Sequence, residues 1–232
     1  SSYPIWLARI PKIQVDNEVA RLRILKAAHE GKRFTLQDAV TFQYPKRIQS
    51  LKGELQLLQK DLERRNQAME VQPGFAITLQ GKVYEKHKEA GEVLRGIIEG
   101  VTAFTRHEVG IYKGFQVSVQ NDMLGPILFL QGEKEYSVEL KSSDSGNMVR
   151  IENRLNALDK AVEDVQKEIK TCENEIKNAK QEYEKPFPYE GLLKENITRQ
   201  MEIDAELEIK DQEECVEVQE ETKNLPCQTA VR

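Results

Sequence analysis

From Met148 to Tyr183 the apolar positions fall at alternating steps of three and four: Met148, Ile151, Leu155, Leu158, Val162, Val165, Ile169, Cys172, Ile176, Ala179 and Tyr183. A repeat of that kind describes one long helix with a coiled-coil seam, and a seam requires a partner. A second stretch in the same register runs from Tyr44 through Ile48, Leu51, Leu55, Leu58 and Leu62 to Met69, with Arg65 where an apolar residue is expected. The arginine stem can cover apolar surface while its head reaches water. Pro45 suits the first turn of this helix, and "QPG" ends it after Val71.

The segment between the two arms, 72–146, is too long for a turn and must fold by itself. "GFAITLQGKVYE", "HEVGIYKGFQVSVQ", "GPILFLQG" and "EKEYSVEL" alternate apolar and polar residues with glycine punctuation, as antiparallel strands do. "KEAGEVLRGIIEGV" reads as an amphipathic helix. These patterns predict four or five strands with one helix on a face. Residues 1–14 carry Pro4 and Pro11 and read as an extended lead-in. A helix follows from Asp16, with Val19, Leu22, Leu25 and Ala28 apolar, and Gly31 as its end. "TLQD" at Thr35–Asp38 has the form of a capping box for another short helix. After "KPFPYE", a helix is expected from Gly191 to Lys210.

The predicted fold is therefore α+β. It is an antiparallel coiled-coil hairpin (45–71 and 147–185) with a small β-sheet and one helix inserted at its tip (72–146). Base helices come from 1–44 and 186–210, and the acidic tail 211–232 is expected to be disordered. The surplus length of the second arm, toward Tyr183, should be covered by the base helices.

Charge adds a polarity to this picture. The N-terminal third is net basic and the C-terminal end strongly acidic, within an overall net charge of −5. The three cysteines, Cys172, Cys215 and Cys227, show no zinc-type spacing and fit a reducing, cytoplasmic compartment. There is no apolar run long enough to span a membrane and no signal-peptide pattern. The start without Met suggests a fragment.

Chemistry is sparse. No phosphate-cradling loop, dinucleotide fingerprint or nucleophile elbow occurs. His29, His87 and His107 stand apart from one another and from other ligand types, so no metal site is expected, and the chain alone is not expected to be an enzyme. The candidates are for binding. Lys82, Lys86 and Lys88 flank a predicted helix N-terminus, where an anion is favoured. Tyr112 and Lys113 lie between glycines; one reading is a ring that stacks on a base beside the lysine, and the favoured one is a tight turn with Tyr112 and Phe115 in the sheet core. Arg150 opens the second arm, and it can face a nucleic acid or support the tip. Arg21, Arg23, Lys46 and Arg47 are the cations of the basic base. Together these ten are the candidate nucleic-acid contacts, although a solvated helix face accounts for the same residues.

The segments "VDNEVARLRILKAAHEGKRFTLQD", "YPKRIQSLKGELQLLQKDL", "FAITLQGKVYEKHKEAGEVL", "VGIYKGFQV", "GNMVRIENRLNAL" and "KPFPYEGLLKENITRQMEIDAEL" follow one another in this order. In that order the chain, over residues 12–210, resembles the C-terminal region of the large helicase–DNA methyltransferase proteins of bacterial mobile elements. That resemblance implies an accessory region downstream of a Swi/Snf-like superfamily-two helicase and an adenine-specific DNA methylase. ATP, magnesium and S-adenosylmethionine would belong to the upstream domains, and no catalytic or cofactor residue carries over to this chain. The partners it implies are DNA and the upstream domains, with a homodimer compatible but not required. A structural spacer with a protein-docking tip and no DNA contact is the alternative reading.

Overall fold

A computed structural model describes residues 5–223. Residues 1–4 and 224–232, the ends of the expected lead-in and tail, lie outside the described residues. The chain divides into two compact units, Thr41–Lys177 and a second made of Ser1–Val40 with Asn178–Arg232.

In the first unit a long helix, α2 (Tyr44–Val71), leads to a six-stranded, wholly antiparallel sheet. Its strands are β1 (Ile77–Leu79), β2 (Lys82–Tyr84), β3 (Arg106–Tyr112), β4 (Phe115–Asp122), β5 (Gly125–Gln131) and β6 (Glu135–Glu139), in the order β2-β1-β3-β4-β5-β6. Helix α3 (His87–Glu99) lies between β2 and β3 in sequence. The chain then leaves the sheet through α4 (Asp144–Asn156) and α5 (Leu158–Glu184). The sheet has one strand more than the upper expectation. "GFAITLQGKVYE", read as one strand, is a hairpin: Gln80 and Gly81 both take positive φ, 48° and 79°, the signature of a type I′ turn.

One face of the sheet is the core. Ile77, Leu79, Phe115, Val117, Leu128 and Leu130 have no exposed surface, and they pack with Leu94 of α3 and with Met148 and Ile151 of α4. α2 runs antiparallel to α4 and α5: Leu51 packs with Ile169 and Cys172, while Arg65, further along, meets Leu155 and Asp159. All eleven seam positions from Met148 to Tyr183 are buried or half-buried, as their spacing predicts. The one irregularity is Ala157, where α4 ends and α5 begins.

The partner seam on α2 departs from its predicted line after Leu58, where Asp61 is buried in place of Leu62, and rejoins it at Arg65. The buried positions that follow are Asp61 and Arg65, while Leu62 is only half-buried and Met69 is 41% exposed. The departure has a polar cause. Asp61 is fully buried, and its carboxylate accepts from the backbone N–H of Glu133 (2.7 Å) and Lys134 (2.9 Å) and from the Tyr136 hydroxyl (2.8 Å). It thereby fastens the β5–β6 turn to α2. Gly132 is required beside it, because a Cβ there would lie 2.2 Å from Asp61 Oδ1. One turn on, Arg65 Nη1 donates to the Leu155 carbonyl (3.0 Å), next to the α4–α5 break, and to Asp159 (2.7 Å). The sequence-based view of Arg65, with its head in water, is corrected: its side chain is 8% exposed and its head is spent inside the seam.

The second unit pairs α1 (Ile5–Asp38) with α6 (Glu190–Lys223). The pair is antiparallel: Lys12 meets Asp204 (2.5 Å), Asp16 accepts from Gln200 (2.6 Å), and Lys26 meets Glu190 (2.9 Å). Val19, Leu22 and Leu193 form its small core, with Val15 and Ile197 against it. The last turns of α5 belong here as well. Arg33 donates to the Tyr183 carbonyl (3.0 Å) and lies 4.9 Å over the Tyr183 ring.

Four expectations about this unit are corrected. Pro11 lies inside α1 rather than in an extended lead-in; a proline forfeits one backbone hydrogen bond, and the helix continues through it. Gly31 does not end the helix, since its backbone stays helical, and Thr35 is no cap, because its hydroxyl donates back to the Gly31 carbonyl (3.1 Å). Instead α1 passes into a π-helical segment, Ala39–Gln43, just before Pro45, whose missing donor disturbs the normal ladder. The acidic segment expected to be disordered from 211 prolongs α6 as far as Lys223.

Replacing Asp61 by Ala leaves three buried donors without an acceptor, so it is expected to cost about 3 kcal/mol in a urea denaturation measurement. Acid should reveal the second fastening. The hydrogen bond from Arg65 holds the Asp159 carboxyl below its ordinary value of 3.8. The stabilisation is therefore present above that value and lost as the pH falls through the lower folded one. The melting-temperature gap between wild type and Asp159→Asn is expected to be constant near neutrality and to close below pH 3.8. It should be small throughout, since the Asp159 side chain is 58% exposed.

Candidate functional site

The sheet unit carries a cleft of about 360 Å3 where α3, the β4–β5 turn and the β6–α4 link converge. The local sequence builds each wall. α3 is strongly amphipathic: Ala90 and Leu94 face the sheet, which places Arg95 and Ile98 at the cleft side. The β4–β5 turn consists of Met123 and Leu124, 87% and 99% exposed, and Pro126 and Leu140 complete an apolar floor. The link is held rigid by Asn147, whose side chain accepts from the Lys141 N–H (2.7 Å) and donates to the Lys141 carbonyl (2.8 Å). Ser143 caps α4 by accepting from the Gly146 N–H (3.2 Å). Asp144 at the rim is engaged by Arg95 (3.3 Å).

This arrangement suits binding more than chemistry. The one carboxylate among the lining residues, Asp144, is ion-paired with Arg95, and Lys141 and Ser142 are the other lining groups that could take part in chemistry. The floor takes an apolar side chain, and Arg95, Lys141 and Asp144 offer polar contacts around it. Among the described residues no group of His, Cys, Asp and Glu is placed to hold a metal ion, and no helix is long and apolar enough to cross a membrane.

The ten residues singled out as nucleic-acid contacts are divided between the two units, Arg21 and Arg23 in one and the other eight in the sheet unit. Arg21 and Arg23 are exposed on α1, and Arg21 pairs with Glu18 (3.2 Å). Lys46 and Arg47 are exposed on α2, with Arg47 bound to Glu168. Lys86 precedes α3 and pairs with Glu89 (2.9 Å). Glu89 is itself in the first turn of the helix, so the place for an anion at that N-terminus already has a carboxylate. Lys82 lies 5.5 Å over the Tyr84 ring, and Lys88 and Arg150 are exposed on α3 and α4.

Tyr112 is corrected as a stacking residue. It is 2% exposed, in the sheet core, and burial raises the pKa of its phenol. Lys113 is corrected as well. Its ammonium donates to the carbonyls of Gln72 (2.6 Å) and Gly74 (2.5 Å), tying the α2 exit to the β3–β4 turn. Desolvation lowers its pKa. His87 is half-buried, its ring stacked 4.0 Å from Phe75 and its Nε2 3.1 Å from Glu152.

The cleft residues Arg95, Leu124, Lys141, Asp144 and Asn147 were not singled out from the sequence. One signal for them was present: "NDMLGP" puts two large apolar residues at a hairpin turn, where polar residues are the rule.

No family model, no curated protein and no solved structure matches the chain.

Asn147→Ala should release the β6–α4 link. A loss of about 1 kcal/mol is expected from two part-buried backbone groups of Lys141 left without their partner, measured by thermal denaturation.

Proposed function

We propose that the chain is a non-catalytic accessory region of a DNA helicase or DNA methylase, and that it engages the parent's motor domains through the α3/β4–β5 cleft. The order of the six sequence segments over residues 12–210 supports the parentage. The observation that carries the docking mode is the pairing of an apolar-floored cleft with a fully exposed Leu124 at its mouth. An apolar anchor beside a pocket with a polar rim is the usual anatomy of a protein-binding centre. ATP, magnesium and S-adenosylmethionine remain with the upstream domains in this reading, and nothing in this chain is assigned to hold them.

Direct DNA contact is the second reading, and one observation favours it: Lys88 and Arg150 of the sheet unit are exposed and form no ion pair among the described residues. Such cations give sequence-independent phosphate contacts with strong salt dependence. Against it, Arg21, Arg47, Lys86 and Lys113 are each engaged by protein groups.

Pull-down of the upstream helicase portion by this chain is expected to succeed. Leu124→Asp should weaken capture at least tenfold without lowering the melting temperature, because Leu124 is exposed in the free chain. Capture unaffected by Leu124→Asp and by Arg95→Glu would reject the cleft as the docking site. A salt-titrated DNA-binding assay separates the second reading: affinity that falls on Lys88→Glu and Arg150→Glu would favour it.

A further inference from the structure

Helix α1 has two apolar stripes, and α6 covers only one. Val15, Val19, Leu22 and Lys26 face α6. A second stripe runs through Ile10, Ile13, Asn17, Ala20, Ile24, Ala27, Gly31 and Phe34, again in alternating steps of three and four. Taking Ile10 as position a of a heptad, the stripe fills successive a and d positions, while the residues facing α6 fall at c and f. At 100° per residue the two stripes are centred about 160° apart, on opposite sides of the helix. Every residue of the second stripe is exposed, with Ile24 at 70% and Phe34 at 73%.

The geometry points to a parallel, in-register coiled-coil dimer in which α1 of one chain lies against α1 of a second copy. Three features select that occupant. Asn17 is the one polar residue of the stripe and sits at an a position. A single Asn at a is stable only opposite its own equivalent, where the two amides hydrogen-bond, and this fixes parallel register and a two-stranded state. Ile10 and Ile24, also at a, are β-branched, the side-chain shape that parallel dimers carry at a, while the d positions hold Ile13, Ala20, Ala27 and Phe34 in place of leucine.

The flanks are self-complementary as well. The g positions are Asp16, Arg23, Glu30 and Gln37, and the e positions are Gln14, Arg21, Ala28 and Thr35. In a parallel dimer each g meets the e five residues on in the other chain. Asp16 then faces Arg21 of the second copy, and Arg23 and Glu30 face Ala28 and Thr35. No like charges meet. Arg21 is free to make this contact, since its present bond to Glu18 is a solvent-exposed pair with 69% of the arginine side chain in water. Asp16 already accepts from Gln200 and has lone pairs left for the arginine. Ala20, Ala27 and Gly31 are small and let the two helices approach closely.

Sedimentation equilibrium on the full chain tests this. Wild type is expected to sediment at twice the mass of one chain and to melt at a temperature that rises with concentration, and Ile24→Asp to sediment at the mass of one with its helical circular dichroism retained and a melting temperature independent of concentration. Should Ile24→Asp lose helicity, Ala27→Glu on the same stripe carries the test. Asn17→Cys, under mild oxidation, is expected to form a covalent dimer beyond the amount seen with the unsubstituted chain. A wild-type chain that stays monomeric up to about 100 µM overturns the proposal, given the affinities usual for specific dimers. A dimer that survives both stripe substitutions overturns it too. So does a dimer that Asn17→Cys fails to cross-link, because its chains are antiparallel or out of register.

Discussion

Asp61 has no contact with water, so everything it needs must come from protein. It sits on a helix whose own backbone groups are paired internally, and its three donors come from residues more than seventy positions away in sequence, on the β5–β6 turn and β6. That requirement ties the sheet to α2 at one point and in one register. A slip of the turn by one residue would bring a side chain where Gly132 now stands, into the carboxylate itself. Arg65 repeats the logic one helical turn further on, meeting the Leu155 carbonyl beside the break at Ala157. A purely apolar seam would pack about as well in several registers; buried polar groups that must find particular partners penalise the alternatives.

The same principle separates the two stripes of α1. Its α6-facing side is fastened by specific polar pairs at both ends of a small core, Lys12 with Asp204 and Lys26 with Glu190. Its opposite side has heptad spacing and one well-placed Asn, and its stripe is exposed among the described residues. The pairs on the first side are half-exposed and add little stability each, but they select α6 and its direction. On the second side, selection falls to Asn17 and to the e and g charges.

How far these features could be read from the chain depended on how local their causes are. The seam from Met148 to Tyr183 follows from spacing alone, because each residue lies on a helix face whatever its partner. The α+β class and the long antiparallel helices were legible for the same reason. The register of α2 beyond Leu58 was not: Asp61 looks like any solvated acid until the β5–β6 turn is brought to it. Gly31 and the Thr35 box carry correct local signals for a helix end, yet the helix runs on, because α6 and the last turns of α5 pack along it. The β1–β2 hairpin was missed because Gln80-Gly81 lacks the Asn-Gly or Asp-Gly signature of its turn type. The candidate site was the least legible. Its walls come from α3, the β4–β5 turn and the β6–α4 link, and only the apolar pair Met123–Leu124 stands out in sequence.

Counting cations was a weak guide because charge in a sequence does not say what the charge is facing. Lys113, between two glycines, reads as a loop lysine free to meet a phosphate. In the fold its ammonium closes two backbone carbonyls at the end of α2, a structural task that costs it solvation. Arg47 and Lys86 have acidic neighbours within reach. Exposed apolar residues in ordered positions are more telling, since burying a Leu side chain is worth about 2 kcal/mol and water offers no substitute partner. Leu124 on a hairpin turn and Ile24 on a heptad stripe both forgo that gain in the isolated chain. Ile24 lies within α1 and Leu124 in a tight turn, and neither takes a positive φ, so each is held outward without backbone strain, the condition under which a partner collects most of the burial energy.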